Sequence, residues 1–269
     1  MTVPPAAAPE LSGARSRPPA TTPGAVWTIV RTDFKVRYHG TLAGFVWALL
    51  KPATMALVLV VVFSLVFKGN ADYRLDLLVG LFLWDFFAEG TKVGLLSLLA
   101  KSYVLTKTPF PRWVLVATSF ASPLVTLGVF AGVLLVVFAA SGRRLGPTAL
   151  ALFALYLVQL ALIVFGFSLG ASVLFLRYRD LNQVWEVLTH AGFFLAPIVY
   201  PLDVLPERVH FFLYLWPPTP VIQFSRMVLV RGVVPSLNAH LLLAAMTLLA
   251  LAGGALLFRR LEPGAAEHV

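Results

Sequence analysis

Few side chains here can move protons or hold charge, and most of them stand inside apolar sequence. Asp85, Glu89 and Lys92 fall at i, i+4 and i+7, one face of a helix, within a run from about Leu75 to Leu99. Glu186 and His190 repeat the i, i+4 relation in a later apolar run. Charges in hydrocarbon are costly, so such groups face a cavity or a partner. Two readings stand open: an ion or proton relay, as in a secondary transporter, or a structural pairing of Glu89 with Lys92 or His190 around a hydrated interior. No other constellation offers chemistry. There is no G-x-x-x-x-G-K-S/T phosphate loop, no G-x-G-x-x-G, no H-E-x-x-H and no G-x-S-x-G. The five histidines, His39, His190, His210, His240 and His268, lack ligand spacing, so no metal is expected. The absence of cysteine excludes disulfides, thiolate metal sites and cysteine nucleophiles. The chain is expected to be no enzyme and to bind no cofactor. Energy for transport would come from an ion gradient or another chain.

Aromatic residues are the other feature with a chemical use. Trp84, Phe86, Phe87, Phe193, Phe194, Phe211, Phe212, Tyr214 and Trp216 gather toward one half of the apolar segments. They either serve the lipid belt and packing or line a channel, where their planes would stack on the C–H faces of sugar rings.

Those residues must be carried by membrane elements. Hydrophobic residues make up 59% of the 269-residue chain and charged residues only 12%, against about 25% charged in a soluble domain. Mean hydropathy is +0.87. A net charge of +9 would suit nucleic acid, but the basic residues are scattered at the ends of apolar runs, which fits loops facing anionic lipid. A hydrocarbon core about 30 Å thick takes roughly 20 apolar residues as helix. The pattern predicts an all-α polytopic membrane protein with six transmembrane helices, at about 43–67, 75–99, 113–139, 148–176, 183–200 and 237–258. Between the fifth and sixth, 211–216 and 221–230 are short apolar pieces split by Pro217, Pro218 and Pro220. They read as two re-entrant helices, a backbone tolerated only where protein or a cavity shields it, with two interfacial helices as the alternative.

Before the first span, 24–40 reads as an interfacial amphipathic helix. Trp27, Val30, Phe34 and Tyr38 share a stripe flanked by Arg31, Lys35 and Arg37, while Ile29 and Val36 break the polar face and would touch a neighbour. Residues 1–23 hold six prolines and many small residues, the composition of a disordered tail. Residues 41–260 would form the six-span domain and 261–269 a short cytoplasmic tail. With the N-terminus inside, thirteen Lys and Arg face the cytoplasm and seven the outside, so both termini are expected in the cytoplasm.

Four stretches taken in order resemble the membrane subunit of type-2 ABC exporters, in particular the polysaccharide, O-antigen and teichoic-acid export permeases. They are RTDFKVRYHGTLAGFVWALLKPATMALV (from Arg31), GLFLWDFFAEG (from Gly80), VLTKTPFPRWVL (from Val104), and FLRYRDLNQVWEVLTHAGFFLAPIVYPLDVLPE (from Phe175) followed by LWPPTPVIQFSRMVLVRG (from Leu215). They are similar to the family's R-D-x-K-x-R-Y, K-x-x-F-P-R, F-x-R-D, P-I-x-Y and N-P-x-x-P elements and cover roughly residues 27 to 235. Thr41, Lys51 and Trp216-Pro217-Pro218 depart from the usual Ser, Asn and Asn-Pro.

The resemblance implies a homodimer working with two ABC nucleotide-binding subunits, which carry ATP and Mg, in a bacterial inner membrane. It implies export of a lipid-linked glycan. Lys101, Lys107, Pro109, Phe110, Pro111 and Arg112 would belong to the ATPase-coupling loop. Arg31, Lys35 and Arg37 would receive the carrier headgroup. The aromatics named above, with Glu89, would guide the glycan or gate its exit. A permease for a drug or small lipid and an ion-coupled secondary transporter remain the alternatives.

Overall fold

The computed structural model describes residues 23–38, 44, 46–66, 72–103 and 111–262. Lys107, Pro109, Phe110, residues 1–22 and residues 263–269 lie outside this set. Among the described residues the chain is helical, without strands: α1 (Pro23–Tyr38), α2 (Val46–Val66), α3 (Tyr73–Ala100), α4 (Arg112–Ala140), α5 (Pro147–Arg177), α6 (Leu181–Leu195), α7 (Glu207–Tyr214), α8 (Pro218–Leu229) and α9 (Leu237–Leu261), with a single 3-10 turn at Leu202–Val204. Helix is the form in which long apolar segments satisfy every backbone group internally.

Among the described residues, four helices are long and apolar enough to cross a membrane: α2, α4, α5 and α9. At 1.5 Å per residue α3 is also long enough, but Arg74, Asp76, Asp85, Glu89 and Lys92 break its apolar character. The expected fifth span is shorter than the sequence suggests. α6 stops at Leu195, because Ala196 is extended (φ −75°, ψ 122°) before Pro197, whose ring disfavours helical backbone at the preceding residue. Fifteen residues reach about 22 Å, less than the hydrocarbon thickness.

α5 sits at the centre, with α9 on one side and α3 on the other. Glycine sets both approaches. A Cβ on Gly254 of α9 would lie 1.8 Å from the Gly166 carbonyl oxygen, and one on Gly166 would lie 2.5 Å from the Ala250 carbonyl. On the other side a Cβ on Gly94 of α3 would collide with Ser168 of α5. Small residues let helix backbones close to van der Waals distance, which is what attracts helices within lipid. Phe82 and Phe130 then stack at 4.7 Å between α3 and α4.

The two short helices differ in setting. α8 is buried along nearly its whole length, packed on α3 and α5, whereas α7 is exposed apart from Leu213 and the half-buried His210 and Tyr214. Pro218 and Pro220 fall in the first turn of α8, where the amide hydrogens have no helical acceptor and proline costs little.

α1 packs on α4. Ile29 meets the small core built by Leu98, Leu115, Val116, Leu176 and Phe258. Val36, also expected to find a neighbour, is instead 77% exposed, and Trp27 is 66% exposed. The ends of α3 and α9 and the start of α4 therefore share one end of the bundle with α1. The turn between α4 and α5, the start of α3 and the segment after α8 share the other.

Candidate functional site

A groove of about 1040 Å³ opens between α2, α3 and α6. Helical spacing builds its walls: Trp47, Leu50, Lys51, Thr54 and Val58 on α2, Leu81, Trp84, Asp85 and Ala88 on α3, and Thr189, His190, Phe193 and Phe194 on α6. The lining is mostly apolar, with Lys51, Asp85, His190 and the two threonines as polar spots. Pro52 lies inside α2 at this wall.

Behind the wall is an aromatic cluster. Trp84 lies 5.6 Å from Phe87, 5.8 Å edge-on to Phe193 and 6.5 Å from Trp216. Trp216 is 5.8 Å from Phe87 and 6.3 Å from Trp185, which stacks on Phe167 at 4.1 Å. Two details lock it. Trp185 Nε1 donates to Thr91 Oγ1 at 3.0 Å, and Thr91 donates onward to the Phe87 carbonyl at 2.7 Å. Gly192 admits Trp216, since a Cβ there would lie 2.5 Å from the indole. The Trp216 Nε1 is buried without a hydrogen-bond acceptor.

The structure divides the expected channel residues. Trp84, Phe193 and Phe194 line the groove, with Phe87 and Trp216 in the cluster behind it. Phe86 points the other way, buried against Phe120 at 5.8 Å. Phe211 and Phe212 are exposed on α7 and pack edge-on at 5.7 Å, and Tyr214 packs on Phe224 at 6.1 Å. Glu89 lies on α3 outside the groove lining. Lys92 is 3.8 Å from Glu186 of α6, an interhelical pair that the spacing argument does not name. His190 Nδ1 donates to the Glu186 carbonyl at 2.7 Å. Trp47 and Trp185 were not singled out from sequence, although Trp185, Thr189 and Phe193 recur every fourth residue.

At the α1 end, Lys101 is 4% exposed. Its Nζ lies 2.5 Å from Asp33 Oδ2, donates to Thr118 Oγ1 at 2.6 Å and donates to the Leu115 carbonyl at 3.1 Å. Burial pushes the ammonium below the usual lysine range, and the Asp33 carboxylate works against that. Lys101, at the end of α3, therefore ties α1 to α4 rather than facing outward. Pro111 is half-buried, and Arg112 donates to the Glu262 carbonyl, joining the start of α4 to the end of α9. Arg31 and Lys35 are exposed on α1; the Arg37 side chain is outside the described set.

At the opposite end the decisive residue is a buried arginine. Arg226 of α8 is buried and donates to three carbonyls: Asp76 at 2.8 Å, Pro197 at 2.5 Å and Ile198 at 2.8 Å. Tyr73 donates to the Val199 carbonyl at 2.5 Å. The acceptors freed where α6 unwinds are thus satisfied from α3 and α8.

The family model described as "ABC-2 type transporter" matches residues 24–230. The chain belongs to the ABC-2 type transporter family. This ABC-2 transporter chain is an integral membrane protein, and it carries no phosphate loop of its own. It is 29% identical over 212 residues to the O-antigen export system permease protein RfbA of Klebsiella pneumoniae, covering 76% of this chain and 80% of the relative. It is 26% identical over 187 residues to the protein of the same name from Myxococcus xanthus, covering 69% and 71%. It is 22% identical over 234 residues to the polysialic acid transport protein KpsM of Escherichia coli, covering 86% and 90%.

Proposed function

We propose that this chain is the membrane permease of an ATP-driven exporter that moves a lipid-linked polysaccharide out across the cytoplasmic membrane. The observation that carries the reading is the groove: a long apolar trough with Trp47, Trp84, Phe193 and Phe194 on its walls and isolated polar groups between them. Aromatic planes stack on sugar C–H faces, while Lys51, Asp85, His190, Thr54 and Thr189 exchange hydrogen bonds with hydroxyls. The names of the relatives, O-antigen and polysialic acid export, point to the same class of cargo.

In this account the chain crosses the membrane six times, with α3 and the short α6 as the two spans that carry charge. α7 and α8 form the re-entrant pair, and both termini are cytoplasmic. Two copies face each other so that their open grooves join. Val58, Trp47 and Phe194, exposed on the groove rims, are buried by the second copy. A separate ATP-binding subunit supplies the energy and meets the segment between α3 and α4, which Lys101 and Arg112 anchor at its two ends. Arg31 and Lys35 on α1, with Arg37, receive the anionic headgroup of the polyprenyl carrier.

The test is glycan export in cells whose own permease gene is deleted. Trp84→Ala combined with Phe193→Ala is expected to cut surface glycan by tenfold or more at equal membrane abundance. Phe86→Leu, on the far side of α3, is expected to export normally. Full export by the groove variant would remove the groove from the pathway.

A further inference from the structure

The end of the bundle opposite α1 carries a second pocket. It has a volume of about 460 Å³ and lies between the α4–α5 turn and the chain that leaves α8. Arg143 and Arg144 enter from the turn, and Arg231 from the other side. Both approaches depend on glycine: Gly142 (φ +73°) closes α4 and Gly232 (φ +65°) closes α8, each in the left-handed region that other residues adopt at a cost. Arg143 is fixed by donating to the Asp72 carboxylate and the Val230 carbonyl. Arg231 Nη2 stands 4.0 Å from Asp76, which also lies beside the buried Arg226. Four arginines against two aspartates leave the cluster with two positive charges in excess.

Three arginines in one pocket are unexpected at this end, which on the topology proposed above is the outer side, where Lys and Arg are disfavoured. They also converge, which a random surface distribution would not produce. The floor adds donors of the same sign. The N-cap of α5, Gly146, has no side chain to cap the helix, so the Thr148 and Ala149 amides in the pocket wall have no side-chain acceptor. Buried Val228 lines the pocket, and exposed Val233 and Val234 complete the rim.

We infer that this pocket binds the phosphate headgroup of a lipid. Guanidinium forks and free amides match phosphate oxygens, and the valine rim matches the start of a hydrocarbon chain. Two lipids share that chemistry: the diphosphate of the polyprenyl carrier and a resident anionic phospholipid. Resting on the export reading, the carrier diphosphate is the expected occupant, held at the release side after the glycan has crossed.

The test uses the purified full-length chain in non-ionic detergent, without ATP or partner, titrated with a polyprenyl diphosphate and separately with phosphatidylglycerol. Bound lipid is read by native mass spectrometry. Arg144→Gln with Arg231→Gln is expected to weaken polyprenyl diphosphate binding tenfold or more, while Arg208→Gln, outside the pocket, leaves it unchanged. Both substituted residues are exposed, so the melting temperature should hold; the single variant Arg144→Gln gives the same readout if the pair does not fold. Loss of phosphatidylglycerol binding alone would keep the lipid-phosphate site and overturn the carrier as its occupant. No change in either affinity overturns the site. Because no ATPase is present, failure of the export reading would leave this result standing.

Discussion

The residue on which the fold turns is Arg226. Its guanidinium donates to the Asp76, Pro197 and Ile198 carbonyls and so joins α3, α8 and the unwound segment after α6. Removing it takes the donor from the Ile198 carbonyl, strips the interhelical bond from the Asp76 carbonyl and leaves the Pro197 carbonyl only the long 3.4 Å bond from Gln223. Arg226→Met should therefore cost about 3 kcal/mol or more, read as a lower melting temperature of the detergent-purified protein. Gly80→Ala should lose about 1–3 kcal/mol, since its Cβ would sit 2.6 Å from Arg226 Nη2. Unchanged melting in both variants would mean that the carbonyls find other donors. Nothing local in the sequence separates Arg226 from an interfacial cation such as Arg231, because its partners lie about 150 and 30 residues away. Lys101 was equally illegible: its burial depends on Asp33 and Thr118 meeting it from two other helices. Trp84 and Phe193 were legible as members of one aromatic set, and the structure places both on the groove wall.

At the scale of elements, the approach of α5 to α9 and to α3 is set by glycine. Gly254 and its neighbour make a matched comparison. Gly254→Leu places a side chain against the Gly166 backbone, 1.8 Å from its carbonyl oxygen, whereas Gly253 faces open space. Gly254→Leu should separate α5 from α9 and sharply reduce folded protein in the membrane, measured by quantitative immunoblot and detergent-extracted monodispersity. Gly253→Leu should be tolerated. Equal abundance of the two would show that α9 packs through another face. The long apolar helices were readable from composition because lipid leaves the backbone no other form. The end of α6 was missed by five residues, since apolarity runs on through Ile198 and Val199 while Pro197 has already broken the helix. The inward face of α1 was only half readable. Its aromatic stripe faces outward at Trp27, and the packing falls to Ile29, Asp33 and their partners on α3 and α4.

For the whole molecule, an ABC-2 transporter chain without a phosphate loop requires a source of energy outside itself, and its groove is open on the side formed by α2 and α6. Both features follow if two copies and two ATP-binding subunits form the working machine. The charges of α3 and α6 fit the proposed account as pairing and groove-lining groups. Lys92 and Glu186 pair across α3 and α6 with both side chains roughly half exposed, and Asp85 and His190 line a trough that is predominantly apolar. The most direct measurement is co-purification of this chain with the ATP-binding subunit encoded beside it, followed by ATP hydrolysis with and without a lipid-linked polysaccharide. The account predicts a stable complex of two copies of each chain whose hydrolysis rises with the glycan lipid. A complex stimulated only by small amphiphiles, or a chain that binds no ATPase, would contradict it.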